Sequence, residues 1–215
     1  MALKVSVAAN GNPVLYLYGV VGESFTADDV KNALNDVPAK QDIDIRIHSE
    51  GGDYMDSIAI NSTLRARQGR RNVHVDGLAA SGGSVIAMAG TSIKMAEASW
   101  MMIHEAHGAM AGRAGDFRDA AERLEAINNQ LVGVYKTRWK GSEKDLRKAL
   151  ADETWLNATN AIAAGLADTT TDKMAIAACV DAKKFFYNQV PSELTPAAIA
   201  GKLKAREERL AAALA

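Results

Sequence analysis

The chain predicts an α/β protein, on three observations. Short apolar or alternating runs recur through its first half, each followed by a helix-compatible stretch. Glycines stand where several of those runs end, at Gly19, at Gly51-Gly52 and around Ser81. From Asp116 onward the pattern changes to helical periodicity, with a capping pair at one helix opening and a glycine stop at another helix end. A βαβαβ rhythm of this kind gives a sheet covered by helices, with sites at the loops that follow the strands.

Val14-Leu15-Tyr16-Leu17-Tyr18 reads as a strand closed by Gly19. Thr26 caps the next helix and Asp29 completes a capping box ahead of Val30 and Leu34. Residues 42–48 alternate with period two and put Ile43, Ile45 and Ile47 on one face. Gly51-Gly52 then opens a helix over residues 54–67, with Met55, Ile58, Ala59 and Ser62 expected on its inner side. Residues 72–76 form a brief strand, Ser84 to Ala89 a short apolar helix ending at Gly90, and two further strands lie near Ile93 and between Trp100 and His104. Residues 116–139 form a long amphipathic helix, since Phe117, Ala120, Leu124, Ile127, Leu131 and Val134 recur every three or four positions. Ser142 and Asp145 box a helix ending near Asp152, and Ala158 opens a last one stopped by Gly165. The first unit spans residues 1–190, and residues 191–215, rich in Ala, Lys, Arg and Glu, form a C-terminal helical tail over 195–214.

Composition narrows the function classes. The chain has 215 residues, 48% of them hydrophobic, enough for a real core. Its 25 basic and 26 acidic residues leave a net charge of −1, and no basic stripe stands out to engage nucleic acid. No apolar run is long enough to span a bilayer, and the start lacks a signal-peptide layout. The single cysteine, Cys179, sits among apolar neighbours and reads as a packed small residue in a reducing, cytoplasmic setting.

One stretch carries chemistry. In Gly77-Leu78-Ala79-Ala80-Ser81-Gly82-Gly83 a serine hemmed in by small residues stands where a strand passes into a helix. Unpaired N–H groups and the positive end of the helix dipole favour developing negative charge there, and the small neighbours let a substrate backbone approach. A serine hydroxyl attacks only if a base takes its proton and donors receive the oxyanion. His48, His74, His104 and His107 are the available bases; His104, at a strand exit, is the best placed, and His48, beside the glycine pair, is its rival. Gly51-Gly52, after a strand and before a helix, can present N–H groups to an anion, and Gly82 adds another beside the serine.

Together, Ile47-His48-Ser49-Glu50-Gly51-Gly52, the Ser81 stretch and Met102-Ile103-His104 resemble the Clp peptidase (ClpP) family of serine proteases. They match its Ile-Asn-Ser-Pro-Gly-Gly turn, its Ala-Ala-Ser-Met-Gly nucleophile motif and its Met-Ile-His motif, in order and at the expected intervals, within a resemblance that runs from Val14 to Asp168. The resemblance implies a ClpP/crotonase-like fold of repeated ββα-type units with a protruding handle helix. It implies Ser81 as nucleophile, His104 as general base, the N–H groups of Gly52 and Gly82 as oxyanion hole, and an extended polypeptide substrate paired near Gly51. It implies no metal or organic cofactor, and a ring homo-oligomer stacked through the handle at residues 116–139. The family's acid precedes an aromatic–Leu pair; alignment on Trp155-Leu156 lands on Glu153, with Asp152 as the alternative. His48, Glu50 and Gly82 replace the family's Asn, Pro and Met.

The segment before Val14 is shorter than in housekeeping Clp peptidases, whose partner is an ATPase unfoldase ring. With Glu153-Thr154-Trp155-Leu156, this resembles the phage and prophage Clp-type proteases of capsid maturation, whose partners are capsid or scaffold proteins. Three other classes compete. A crotonase-like acyl-CoA enzyme would use the Gly52/Gly82 hole but not the Ser81/His104 pair, a Ser–Lys peptidase lacks its membrane anchor here, and a ring subunit could be catalytically inert.

Overall fold

Three isoleucines mark the centre of the molecule. Ile43, Ile45 and Ile47 are fully buried on one face of β3 (Ile43–Gly52), while Asp44, Arg46 and His48 alternate onto the other. The structure, a computed structural model, describes residues 3–171, 180, 184–198, 200, 201 and 204. Cys179 and most of the expected tail helix lie outside the described residues.

Among the described residues the strands form one eight-stranded sheet. β1 (Lys4–Val7) pairs antiparallel with β2 (Pro13–Val21); β2, β3, β4 (Arg71–Ala80), β5 (Ser92–Ala96) and β8 (Thr169–Thr171) follow in parallel. β4 forks. Its first half, at residues 72–75, pairs with β5, and its end, at Leu78 to Ala80, pairs with β6 (Trp100–Ile103). β7 (Thr154–Asn157) then runs antiparallel to β6. β1, β7 and β8 have no counterpart among the expected strands, since each is four residues or fewer and too short to display a period.

The helices cover one face. α1 (Ala27–Ala33) starts at the expected box, in which Thr26 and Asp29 each accept the other's backbone N–H. α2 (Tyr54–Arg65) corrects most of the expected inner face: Ile58 packs against the core, but Met55, at 71% exposed, Ala59 and Ser62 face outward, and Ser57, Ile60, Asn61 and Leu64 point inward. The reason is polar packing. Asn61 donates to the Val85 carbonyl at 2.7 Å, and Ser57 lies against Gly82, so the inner side lacks the purely apolar stripe that periodicity looks for. α3 (Gly82–Ala87) is buried along its whole length. α5 (Glu143–Ala151) and α6 (Ala158–Ala164) follow the expected caps, with Gly165 closing α6 at φ 87°.

α4 (Ala114–Lys136) is the long helix, and only its last turns join the core, through Leu131, Val132 and Tyr135. The Tyr135 hydroxyl meets Ser84 Oγ at 2.7 Å, and Ser84 in turn donates to the Met102 carbonyl, tying α4, α3 and β6 together. Phe117, near the other end, is 51% exposed. A second, smaller apolar cluster gathers Leu78, Ala80 and Met102 with Val180, Tyr187 and Leu194, so residues beyond β8 pack on β4 and β6. No described helix is long and apolar enough to cross a membrane.

Candidate active site

Strand register builds the site. Ser49 pairs with Ala79, Ala80 with Met102, and Ile103 with Thr154. The next positions outward bring Gly51 and Gly52 from β3, Ser81 from β4, His104 from β6 and Glu153 ahead of β7 into one row across four strand ends. For β3, β4 and β6 these are the carboxyl ends of parallel strands, where open α/β sheets keep their ligands.

Ser81 turns sharply, with φ 50° and ψ −119°. Its N–H donates to the Met102 carbonyl at 3.0 Å, its carbonyl receives the N–H groups of Ser84 and Val85, and its hydroxyl is left for other work. His104 Nε2 stands 2.8 Å from Ser81 Oγ. The glycine turn packs directly on the serine: a Cβ on Gly51 would fall 2.7 Å from Ser81 Cβ and 3.0 Å from Gly82 N. Gly51 and Gly52 have φ of 98° and 138°, which side chains rarely permit. A Cβ on Gly82 would stand 3.6 Å from Gly52 N, so the backbone of the two residues expected to supply the donors comes close together. That Cβ would also fall 2.2 Å from Ser57 Oγ, which occupies the volume a larger residue would need.

The other histidines separate. His48 lies across the sheet, edge-on to Tyr18, with its buried Nδ1 unpartnered among the described residues, and it lines neither cavity at Ser81. Arg46 and Tyr18 hold Asp76 on that same face, where burial and the Asp76 bond push the Tyr18 phenol up to about 12. His74 shares the face and is held below the usual imidazole value, first by burial and then by Arg46. His107 stands beside His104, with ring centres 5.0 Å apart. Burial pushes His104 down to about 4; His107 adds to the effect and Glu153 opposes it.

Of the two carboxylates, Glu153 faces the site and Asp152 does not. Asp152 is exposed and paired with Lys148. Glu153 is 9% exposed, with φ 51°. Its oxygens are occupied by Asn188 N at 2.9 and 2.8 Å, by Gln189 N at 2.8 Å and by Trp155 Nε1 at 3.1 Å. Among the described residues no hydrogen bond joins Glu153 to His104; Glu153 acts on the imidazole as a nearby charge.

Residues 184–190 were not expected here. Tyr187 stands edge-on to His104 at 5.4 Å, its hydroxyl donates to the Glu50 carbonyl at 2.6 Å, and burial raises its phenol far above the usual value. A cavity of about 590 Å³ beside Ser81 and His104 has Phe185, Phe186 and Tyr187 in its wall, and a second of about 330 Å³ reaches Val85, Leu131 and Tyr135. Two of the chain's four phenylalanines stand next to a tyrosine at residues 185–187, and that cluster was the available signal. No group of three or more metal-ligating side chains occurs among the described residues.

Comparison with known proteins gives a consistent result. The family model described as Clp protease matches residues 15–174. ATP-dependent Clp protease proteolytic subunit 2 of Synechococcus sp. (strain CC9605) is 26% identical over 166 residues, covering 74% of this chain and 84% of its own. Proteolytic subunit 1 of Prochlorococcus marinus subsp. pastoris is 28% identical over 162 residues, covering 71% and 82%. The proteolytic subunit of Porphyromonas gingivalis (strain ATCC BAA-308 / W83) is 27% identical over 135 residues, covering 62% and 61%.

Proposed function

The chain belongs to the Clp protease family, and from that membership we propose that it is a serine endopeptidase acting through Ser81 and His104. The observation that carries the reading is the 2.8 Å approach of His104 Nε2 to Ser81 Oγ, with the backbone of Gly52 and Gly82 close together. In the acylation step Ser81 Oγ attacks the substrate carbonyl carbon and His104 Nε2 takes the hydroxyl proton. The carbonyl oxygen, now an anion, is received by Gly52 N–H and Gly82 N–H, while the peptide lies extended along Gly51. His104 returns the proton to the leaving amine; a water deprotonated by the same imidazole then attacks the acyl carbon, the bond to Ser81 Oγ breaks, and the imidazolium returns the proton to Oγ as the acid leaves. Glu153 acts on His104 as the nearby negative charge that favours the imidazolium. The cavity bounded by Val85 and Leu131 takes an apolar substrate side chain.

Assembly belongs to the same proposal. The relatives are named as proteolytic subunits of ATP-dependent proteases, which supports a self-assembling chain fed by an ATPase in the cytoplasm. The apolar stripe of α4 around Phe117 and Leu124 supplies a surface for ring contacts enclosing the serines. Glu153-Thr154-Trp155-Leu156 favours capsid or scaffold proteins as substrates in phage head maturation. Residues 1–190 make the peptidase unit and residues 191–215 a tail, whose start is anchored where Leu194 packs with Tyr187.

Hydrolysis of an unstructured polypeptide by wild type and Ser81→Ala tests the reading. Loss of a triad nucleophile costs about 10⁶-fold in kcat. The variant is expected to retain the fold with no measurable turnover; retention of more than a few per cent of the activity, on the order of 10⁴ times what that loss allows, would overturn the assignment.

A further inference from the structure

We propose that residues 184–190 are an intramolecular latch: they engage Glu153 through the backbone N–H groups of Asn188 and Gln189 and seat Tyr187 against His104, keeping Glu153 from bonding His104 until a substrate displaces them. The inference rests on the peptidase reading of Ser81 and His104. Its basis is a carboxylate with two claims on it. The β6–β7 register sets Glu153 opposite His104, yet both carboxylate oxygens accept from the latch, three times from backbone N–H groups at 2.8 to 2.9 Å. Bonds to an ionised acceptor are the strong kind, and those to Asn188 and Gln189 have to break before both oxygens are free.

The latch also lines the cleft. Tyr187 spans from His104 to the Glu50 carbonyl, one residue before the turn that flanks the oxyanion donors. Phe185 stacks on Tyr187 with ring centres 5.6 Å apart, and Phe186, 66% exposed, reaches His107 edge-on at 5.9 Å. Two non-glycine residues with left-handed backbone, Glu153 at φ 51° and Phe186 at φ 54°, stand at the two contact points. Such conformations persist only where surrounding contacts hold them, and they collect at switch segments. An extended substrate lying along Gly51 competes with Tyr187 for the same strip of β3. Its arrival therefore releases Glu153 to accept from His104 Nδ1, which fixes the tautomer and makes Nε2 a stronger base.

The test uses the full chain and the rate at which a fluorophosphonate labels Ser81. Gln189→Pro removes one N–H from the Glu153 carboxylate, Tyr187→Phe removes the bond to Glu50, and Gln189→Ala keeps the N–H. Both releasing variants are expected to label faster than wild type, Gln189→Pro by about tenfold, as for loss of one charge-assisted hydrogen bond, and Tyr187→Phe by about fivefold, as for loss of a neutral one, while Gln189→Ala labels at the wild-type rate. The groups facing His104 are Ser81, His107, Glu153 and Tyr187, with Glu105 and Lys184 also on the cavity wall. With Glu153 released, the acidic limb of labelling moves up from about 4 toward the ordinary histidine value. Equal or slower labelling in the folded releasing variants, an unmoved limb, or acceleration by Gln189→Ala overturns the latch. If Gln189→Pro fails to fold, Tyr187→Phe decides alone. Absence of labelling at Ser81 in wild type and variants alike removes the peptidase reading itself, and the latch with it.

Discussion

At Ser81 the chain bends with φ 50°, a conformation that a residue with a side chain holds only under constraint. The constraint comes from both neighbours: the N–H is tied to Met102, and Gly51 lies so close that a Cβ on it would fall 2.7 Å from Ser81 Cβ. His104 is constrained differently. An ordinary histidine titrates near 6.5, and an exposed base would give an activity limb at roughly 6 to 7. Burial moves that limb down. In the proposed mechanism the neutral imidazole is the active form, and with its value at about 4, kcat/KM is expected to rise through about pH 4 and to be flat well below neutrality. Glu153→Gln removes the charge that opposes the shift, so it lowers the limb further and reduces kcat by at least about tenfold. Asp152→Asn, at an exposed carboxylate paired with Lys148, changes kcat less than about twofold. A pH–rate profile with a limb between about 6 and 7, or the opposite ranking of the two variants, contradicts this account. Ser81, His104 and the glycines were legible because each lies in a short local pattern. The partners of Glu153 were not, since two of them are backbone N–H groups some thirty-five residues away that leave no side-chain signature.

α4 shows how far periodicity reaches at the scale of an element. The repeat from Phe117 to Val134 was legible, but not that its two halves do different things. The C-terminal half buries Leu131, Val132 and Tyr135 in the core, whereas at the other end Phe117 stands 51% exposed. Substitutions in the two halves therefore separate stability from assembly. Leu131→Ala is expected to cost about 2 to 5 kcal/mol of unfolding free energy, as for other buried leucines. Phe117→Glu with Leu124→Glu leaves the denaturation midpoint nearly unchanged but reduces the sedimenting species to the 22.9 kDa chain. A wild-type protein that already sediments at that mass with full peptidase activity contradicts the ring. In α2 the apolar pattern misled, because Ser57 and Asn61 face inward to meet backbone rather than side chains. The caps of α1 and α5 were read correctly because each pairs a side-chain oxygen with a donor only three residues away, and the end of α6 because Gly165 takes a left-handed backbone there.

Across the whole molecule, pairing register does what no local motif can. The βα rhythm made an α/β sheet legible, yet the fork of β4 and the antiparallel return of β7 depend on contacts distant in sequence. That fork sets β6 beside the last three residues of β4, so the serine and histidine that follow them emerge as neighbours. The second apolar cluster was equally hidden, since Tyr187 and Leu194 join Leu78 and Met102 from beyond the last strand. The central claim, that four strand ends assemble one reactive serine, is tested most directly by mapping where a fluorophosphonate binds. The account predicts a single adduct on Ser81, absent in Ser81→Ala and in His104→Ala and undiminished in His48→Ala. An adduct on Ser49 or Ser84, or peptide hydrolysis by a protein that takes no adduct, would contradict it.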